Sequence, residues 1–181
     1  MFNISECYGC FATEQNEAYF WHGRTNGVGG WENAWDIAET NGGKTLEMVM
    51  YDNREELEKQ GVIFSEEDGI VYGGTDMTQE QFWNQCSDAF AAQASGDVHV
   101  IAGTDDRTLL DSSKVPESRF RSTYSETEHP AMVEKGKVDS ISTVDPCTKQ
   151  ETGEKEVLKR GPEETAGLSE GYDPFEGMGY F

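Results

Sequence analysis

Apolar positions along the chain fall into blocks of different period, and the period of each block predicts its element. Phe82, Cys86, Phe90 and Ala94 recur at four-residue steps and make one stripe of an amphipathic helix. Thr78 and Gln81 stand ahead of it at capping-box spacing, where hydroxyl and amide each satisfy a free backbone donor of the first turn. Gly96 predicts the stop, and Val98, Val100 and Ala102 then alternate as a strand. Trp31, Ala34, Trp35 and Ala38 predict another helix, opened by a glycine-rich turn at Gly27, Gly29 and Gly30 and closed by Gly42-Gly43. Leu46, Val49 and Met50 fit helix or strand equally. Asp52 to Gln60 reads as an exposed helix, and Val62 to Phe64 and Ile70 to Tyr72 as short strands in an acidic connector. Val138, Ile141 and Val144 suggest a last, irregular strand, and residues 1 to 18 show no period.

A length of 181 residues suits one domain. Beyond Pro146 the sequence turns to Glu, Gly and Lys, so residues 1–148 read as the domain and 149–181 as an acidic, Gly-rich tail. The net charge of -21 repels phosphate backbones and anionic bilayers, which argues against nucleic acid and membrane partners. No basic start with an apolar run and no membrane-spanning stretch is visible, so the chain reads as soluble and leaderless. Cys7-x-x-Cys10 has no second such pair, which disfavours zinc; Cys86 lies on the buried helix stripe, Cys147 lies far along the chain, and a Cys7–Cys10 disulfide stays open.

Some residues carry candidate chemistry. Trp83 and Ser87 sit one helical turn apart beside the apolar stripe, so an indole above a hydroxyl could floor a pocket; an isolated Trp is otherwise core. The glycine turn before Trp31 could hold phosphate on backbone amides, but it lacks a nucleotide-binding signature, and a tight turn explains it. Glu66, Glu67 and Asp68 lack the spacing of a calcium loop and read as solvated surface. Pro130 biases His129 away from helix, which predicts Glu128 in an extended segment or turn.

Several short motifs follow one another between Tyr19 and Val144. They are Phe20-Trp21, the Gly-Gly-x-Thr-Leu-Glu segment ending at Glu47, Phe82-Trp83 with Ser87 and Phe90-Ala91, Val98-His99-Val100, and Phe120 ahead of Glu-x-Pro-x-Met from Glu128 to Met132. In order and spacing they resemble the ADP-ribosyl cyclase and NAD glycohydrolase family. The resemblance implies an α+β fold, with a helical N-terminal part and a small, mostly parallel sheet in the second half. It implies cleavage of the nicotinamide–ribose bond of NAD, with NAD as substrate, no cofactor and no metal. Glu128 resembles the catalytic glutamate, with Glu126 as the rival two residues earlier, and Glu47 the carboxylate that contacts nicotinamide. Trp21 and Trp83 resemble the indoles that grip the substrate. Ser87 resembles a serine near the reacting ribose, Phe120 an aromatic beside the catalytic segment, and Arg24, at a different offset from Trp21, a phosphate-contacting arginine.

The residue types suit that chemistry. Indole faces attract the pyridinium of NAD, and a fixed carboxylate stabilises the oxocarbenium-like sugar left when nicotinamide departs. Nicotinamide leaves as a neutral molecule, so no second acid is required, unlike in glycosidases. Met48 follows Glu47 where the family's animal ectoenzymes carry a second acid, which points to hydrolysis, with cyclic ADP-ribose at most a side product. Four cysteines do not reproduce those enzymes' disulfides. The short form is similar to toxin modules that deplete NAD, which implies a restraining immunity protein and a cytoplasmic or exported location. A different expectation is a non-enzymatic acidic protein that binds or inhibits a basic partner through charge.

Overall fold

Parallel pairing around one central strand organises the protein. In the computed structural model, residues 1–22, 24–25, 28–102, 127–135 and 137–158 are described. Strand β1 (Tyr19–His22) pairs in parallel with β6 (Gly96–Ala102), β6 pairs in parallel with β7 (Val138–Val144), and β8 (Glu151–Val157) closes the edge antiparallel to β7. The sheet order is β1-β6-β7-β8. Two small hairpins accompany it: β2 (Arg24–Thr25) with β3 (Val28–Gly29), and β4 (Val62–Ser65) with β5 (Gly69–Tyr72).

Helices α1 (Gly30–Thr40), α2 (Leu46–Asp52), α3 (Arg54–Glu58) and α4 (Gln79–Gln93) lie between β1 and β6 in the chain, and α5 (His129–Lys135) precedes β7. The period-2 alternation of a strand sends neighbouring side chains to opposite faces. Phe20, Val98, Val100 and Ile141 join the larger core with Phe82, Cys86 and Phe90 of α4 and Val49 and Met50 of α2. Tyr19, Ile101 and Val144 join a smaller core with Ala34, Ile37 and Ala38 of α1. Both faces are covered, which is why Ile101 is as buried as the alternating Val98 and Val100.

Local rules account for the helix ends. Thr78 and Gln81 form the reciprocal capping box, with Thr78 Oγ1 accepting from the Gln81 amide at 3.1 Å. Gly42, at φ 77°, takes the left-handed turn after α1, and Gly43 lies so close to Tyr19 and the Glu17 carbonyl that a Cβ would not fit. Helix α4 stops at Gln93, and Gly96, at φ 75°, starts β6 instead of ending the helix.

The structure departs from the sequence reading in several places. The sheet is mostly parallel but does not belong to the second half alone, because β1 comes from the aromatic run at Tyr19 to Trp21. The boundary at residue 148 falls just before β8, which is hydrogen-bonded to β7, so Glu151–Val157 of the expected tail belong to the sheet. The segment at Leu46 to Met50, which the pattern leaves open between helix and strand, is helix, and Asp52 to Gln60, expected as an exposed helix, holds only the short α3. Cys7, Cys10 and Cys86 are buried free thiols, and Cys147 is exposed. Among the described residues no helix is long and apolar enough to cross a membrane.

Candidate functional site

The Thr-Leu-Glu segment shows why its spacing matters. Thr45 caps α2 by accepting from the Met48 amide at 3.2 Å, and its hydroxyl also bonds the carboxylate of Glu47 two residues on. The cap therefore turns Glu47 inward, where the side chain is 8% exposed. Trp21 Nε1 donates to Glu47 Oε1 at 3.4 Å from the end of β1. Burial raises the Glu47 carboxyl above its ordinary value, and the bonds from its own amide, Trp21 and Thr45 oppose that rise.

Glu47 lines a cavity of about 200 Å³ with Trp83 of α4, Trp31 of α1, Tyr51 of α2, and Asp68 and Ile70 of the β4–β5 hairpin. Three aromatic rings and two carboxylates around one space suit a flat, positively charged ring. The ring faces supply negative quadrupole and the acids supply charge.

Glu128 approaches from another element. Thr127 and Glu128 form a π turn that opens α5, and Glu128 is 8% exposed. This corrects the sequence expectation. Pro130 does not keep its neighbours out of helix, because it occupies the first turn, where a missing N–H breaks no bond. Burial, reinforced by repulsion from Glu47 and opposed by a hydrogen bond with Ser87, pushes the Glu128 carboxyl up to about 8. Helix α5 is pinned at both ends: His129 Nε2 lies 3.0 Å from Glu156 Oε1 on β8, and Lys135 Nζ lies 2.9 Å from Asp88 Oδ2 on α4.

The fold thus brings Glu47 and Trp83 to one cavity, joins Trp21 to Glu47 by a hydrogen bond, and couples Glu128 to Glu47 and to Ser87. Arg24 is placed only by its backbone, in β2, and Phe120 and Glu126 lie outside the described residues. Sequence reasoning missed Trp31 and Tyr51. Trp31 fits the helical stripe, and it is 38% exposed and lines the cavity. Asp68, expected on solvated surface, is exposed at the same cavity's rim. Among the described residues no three His, Cys, Asp or Glu side chains converge to hold a metal ion.

No family model and no curated protein matches the chain. Among solved structures it is similar to Aplysia cyclase, crystallised with substrate NGD and product cGDPR, at 24% identity and a TM-score of 0.42 over 73% of this chain and 49% of that one. It is also similar to an ADP-ribosyl cyclase complexed with N1-cIDPR, at 21% identity and a TM-score of 0.43 over 73% and 50% of the two chains. A mutant ADP-ribosyl cyclase aligns at 20% identity and a TM-score of 0.42 over 81% and 54%. The chain spans about half the length of these structures.

Proposed function

We propose that the protein is an NAD glycohydrolase, releasing nicotinamide and ADP-ribose from NAD. The observation that carries this reading is the pair of buried, mutually repelling carboxyls, Glu47 and Glu128, with Glu47 set among aromatic rings at one cavity. Two neighbouring acids in a dry site resist ionising together unless a cation joins them. The pyridinium of NAD is such a cation, and its flat ring suits Trp83 and Trp31.

The chemistry follows from that arrangement. The C1′–N bond breaks and its electron pair returns to the ring nitrogen, so nicotinamide departs neutral and positive charge moves to the ribose. Ionised Glu128 stabilises that charge without reorganising, because Ser87 and the pinned α5 hold it. Glu47, fixed by Trp21 and Thr45, orients the carboxamide. Water adds to C1′ and its proton is lost to a carboxylate or to solvent. NAD is consumed as substrate, with Arg24 the proposed partner of its phosphates, Ser87 near its reacting ribose and Phe120 the aromatic beside the catalytic segment. Met48, an apolar residue beside Glu47, favours hydrolysis over cyclisation. Depletion of NAD by this route is what would make the protein a toxin needing an immunity partner. The test is release of nicotinamide from NAD by the purified protein and its loss in Glu128→Gln.

A further inference from the structure

A second cavity, of about 370 Å³, adjoins the first and is lined by Trp31, Glu32, Trp35 and Tyr51. Trp31 and Tyr51 line both cavities, so the two spaces share one aromatic wall. The second space is open, its lining is dominated by ring carbon, and the first-turn carboxylate of Glu32 is its charged group. Trp31 and Trp35 meet at 6.4 Å and 72°, and Trp35 and Tyr51 at 5.6 Å and 74°. Phe64 of the hairpin continues the series against Tyr51 at 5.1 Å. Rings locked edge to face hold one another in place, so the surface they present is preorganised. Nothing in the core requires this: Ala34, Ile37 and Ala38 already bury α1, and Trp31 stays well exposed.

We propose that this second cavity is the subsite for the purine base at the far end of a dinucleotide substrate, with Trp35 as the stacking platform and Glu32 accepting from an exocyclic amine. The proposal rests on the NAD-cleaving reading of the first cavity and deepens it. Continuity through Trp31 and Tyr51 is the argument for the occupant: a ligand whose nicotinamide end lies against Glu47 has its other end directed to a space with the same aromatic wall. A purine has two flat faces for the rings and, in adenine, an amine donor for a carboxylate. A phosphate in the same space would meet Glu32 and no described cation. Trp35 and Glu32 would therefore set specificity for the base without touching the bond that breaks.

The test compares NAD with nicotinamide mononucleotide, which has the same scissile bond and no purine. The wild type is expected to show a KM for NAD at least tenfold below that for the mononucleotide. Trp35→Leu, checked for folding by thermal melting, is expected to raise the NAD KM about tenfold. Its kcat and the mononucleotide KM should stay unchanged. Trp35→Phe, which keeps a ring and serves if the Leu variant does not fold, should fall between. Glu32→Ala should lessen the preference for NAD over its hypoxanthine analogue, which has no exocyclic amine. Equal KM values for the two substrates in the wild type would overturn the subsite, as would changes in Trp35 variants that affect both substrates alike or neither. Release of nicotinamide from neither substrate would overturn the NAD-cleaving reading itself, and the subsite with it.

Discussion

Glu47 lies close enough to Glu128 to repel its charge, and that repulsion adds to burial in holding the Glu128 proton up to about pH 8. The two carboxyls come from segments about eighty residues apart, one fixed by the cap of α2 and the other by the pinned start of α5. Each makes ionisation of the other harder, so the empty site favours at most one negative charge near neutrality. A bound cation reverses the preference.

Stability should fall as pH rises. The Glu128 carboxyl keeps its proton in the folded chain up to about 8, against an ordinary value of 4.5. Between those values the unfolded state ionises first, so the folded state loses ground as pH rises through the window and no further above it. Glu128→Gln removes the penalty and still accepts from Ser87. The variant should match the wild type near pH 4 and be more stable at pH 8 by up to about 4 kcal/mol. Thermal melts at the two pH values check this.

Activity should show the same ionisation with the opposite sign. If Glu128 must be charged to stabilise the sugar cation, kcat/KM should rise with pH and level off above about 8, the value for the free protein. Bound pyridinium favours the charged carboxylate, so the rise in kcat should lie at lower pH. A pH profile of both constants for nicotinamide release separates the two limbs.

Thr45→Val should harm stability and site together. It removes the acceptor for the Met48 amide and the hydroxyl bonded to Glu47. A lost helix cap costs about 1 kcal/mol. Thr78→Ala removes the corresponding cap of α4 at an exposed position and should cost a similar amount. Denaturant unfolding should therefore show comparable losses, while kcat falls at least tenfold in Thr45→Val and little in Thr78→Ala.

Trp21→Phe keeps an aromatic ring at the end of β1 and removes the Nε1 donor to Glu47. A hydrogen bond to a charged group contributes about 1.5–3 kcal/mol, and this one is long, so kcat/KM should fall by roughly tenfold. Titration of the variant should find the Glu47 carboxyl ionising at higher pH than in the wild type.

What the sequence showed plainly was local. The capping box of Thr78 and Gln81 and the stripe Phe82, Cys86, Phe90 depend on residues a few positions apart, and both stand in the structure. Strand β1 was harder to read because Tyr19, Phe20 and Trp21 do not alternate in polarity, and their parallel partners, His99 to Ile101, lie eighty residues away. Strand β8 carries no apolar period at all, since Glu151, Glu154 and Glu156 are edge residues held by pairing with β7 and by the His99 and His129 contacts. Helical period could put Trp31 on the inner side of α1 but could not tell a filled core from a cavity. Pro130 was read as a breaker because the sequence does not reveal that it sits in a first turn.

The most direct test of the central claim is chromatography of purified protein incubated with NAD, following nicotinamide, ADP-ribose and cyclic ADP-ribose beside Glu128→Gln and Glu126→Gln. The account predicts nicotinamide with mainly linear ADP-ribose from the wild type and from Glu126→Gln, and neither from folded Glu128→Gln. No nicotinamide from the folded wild type, or undiminished release by Glu128→Gln, would contradict it.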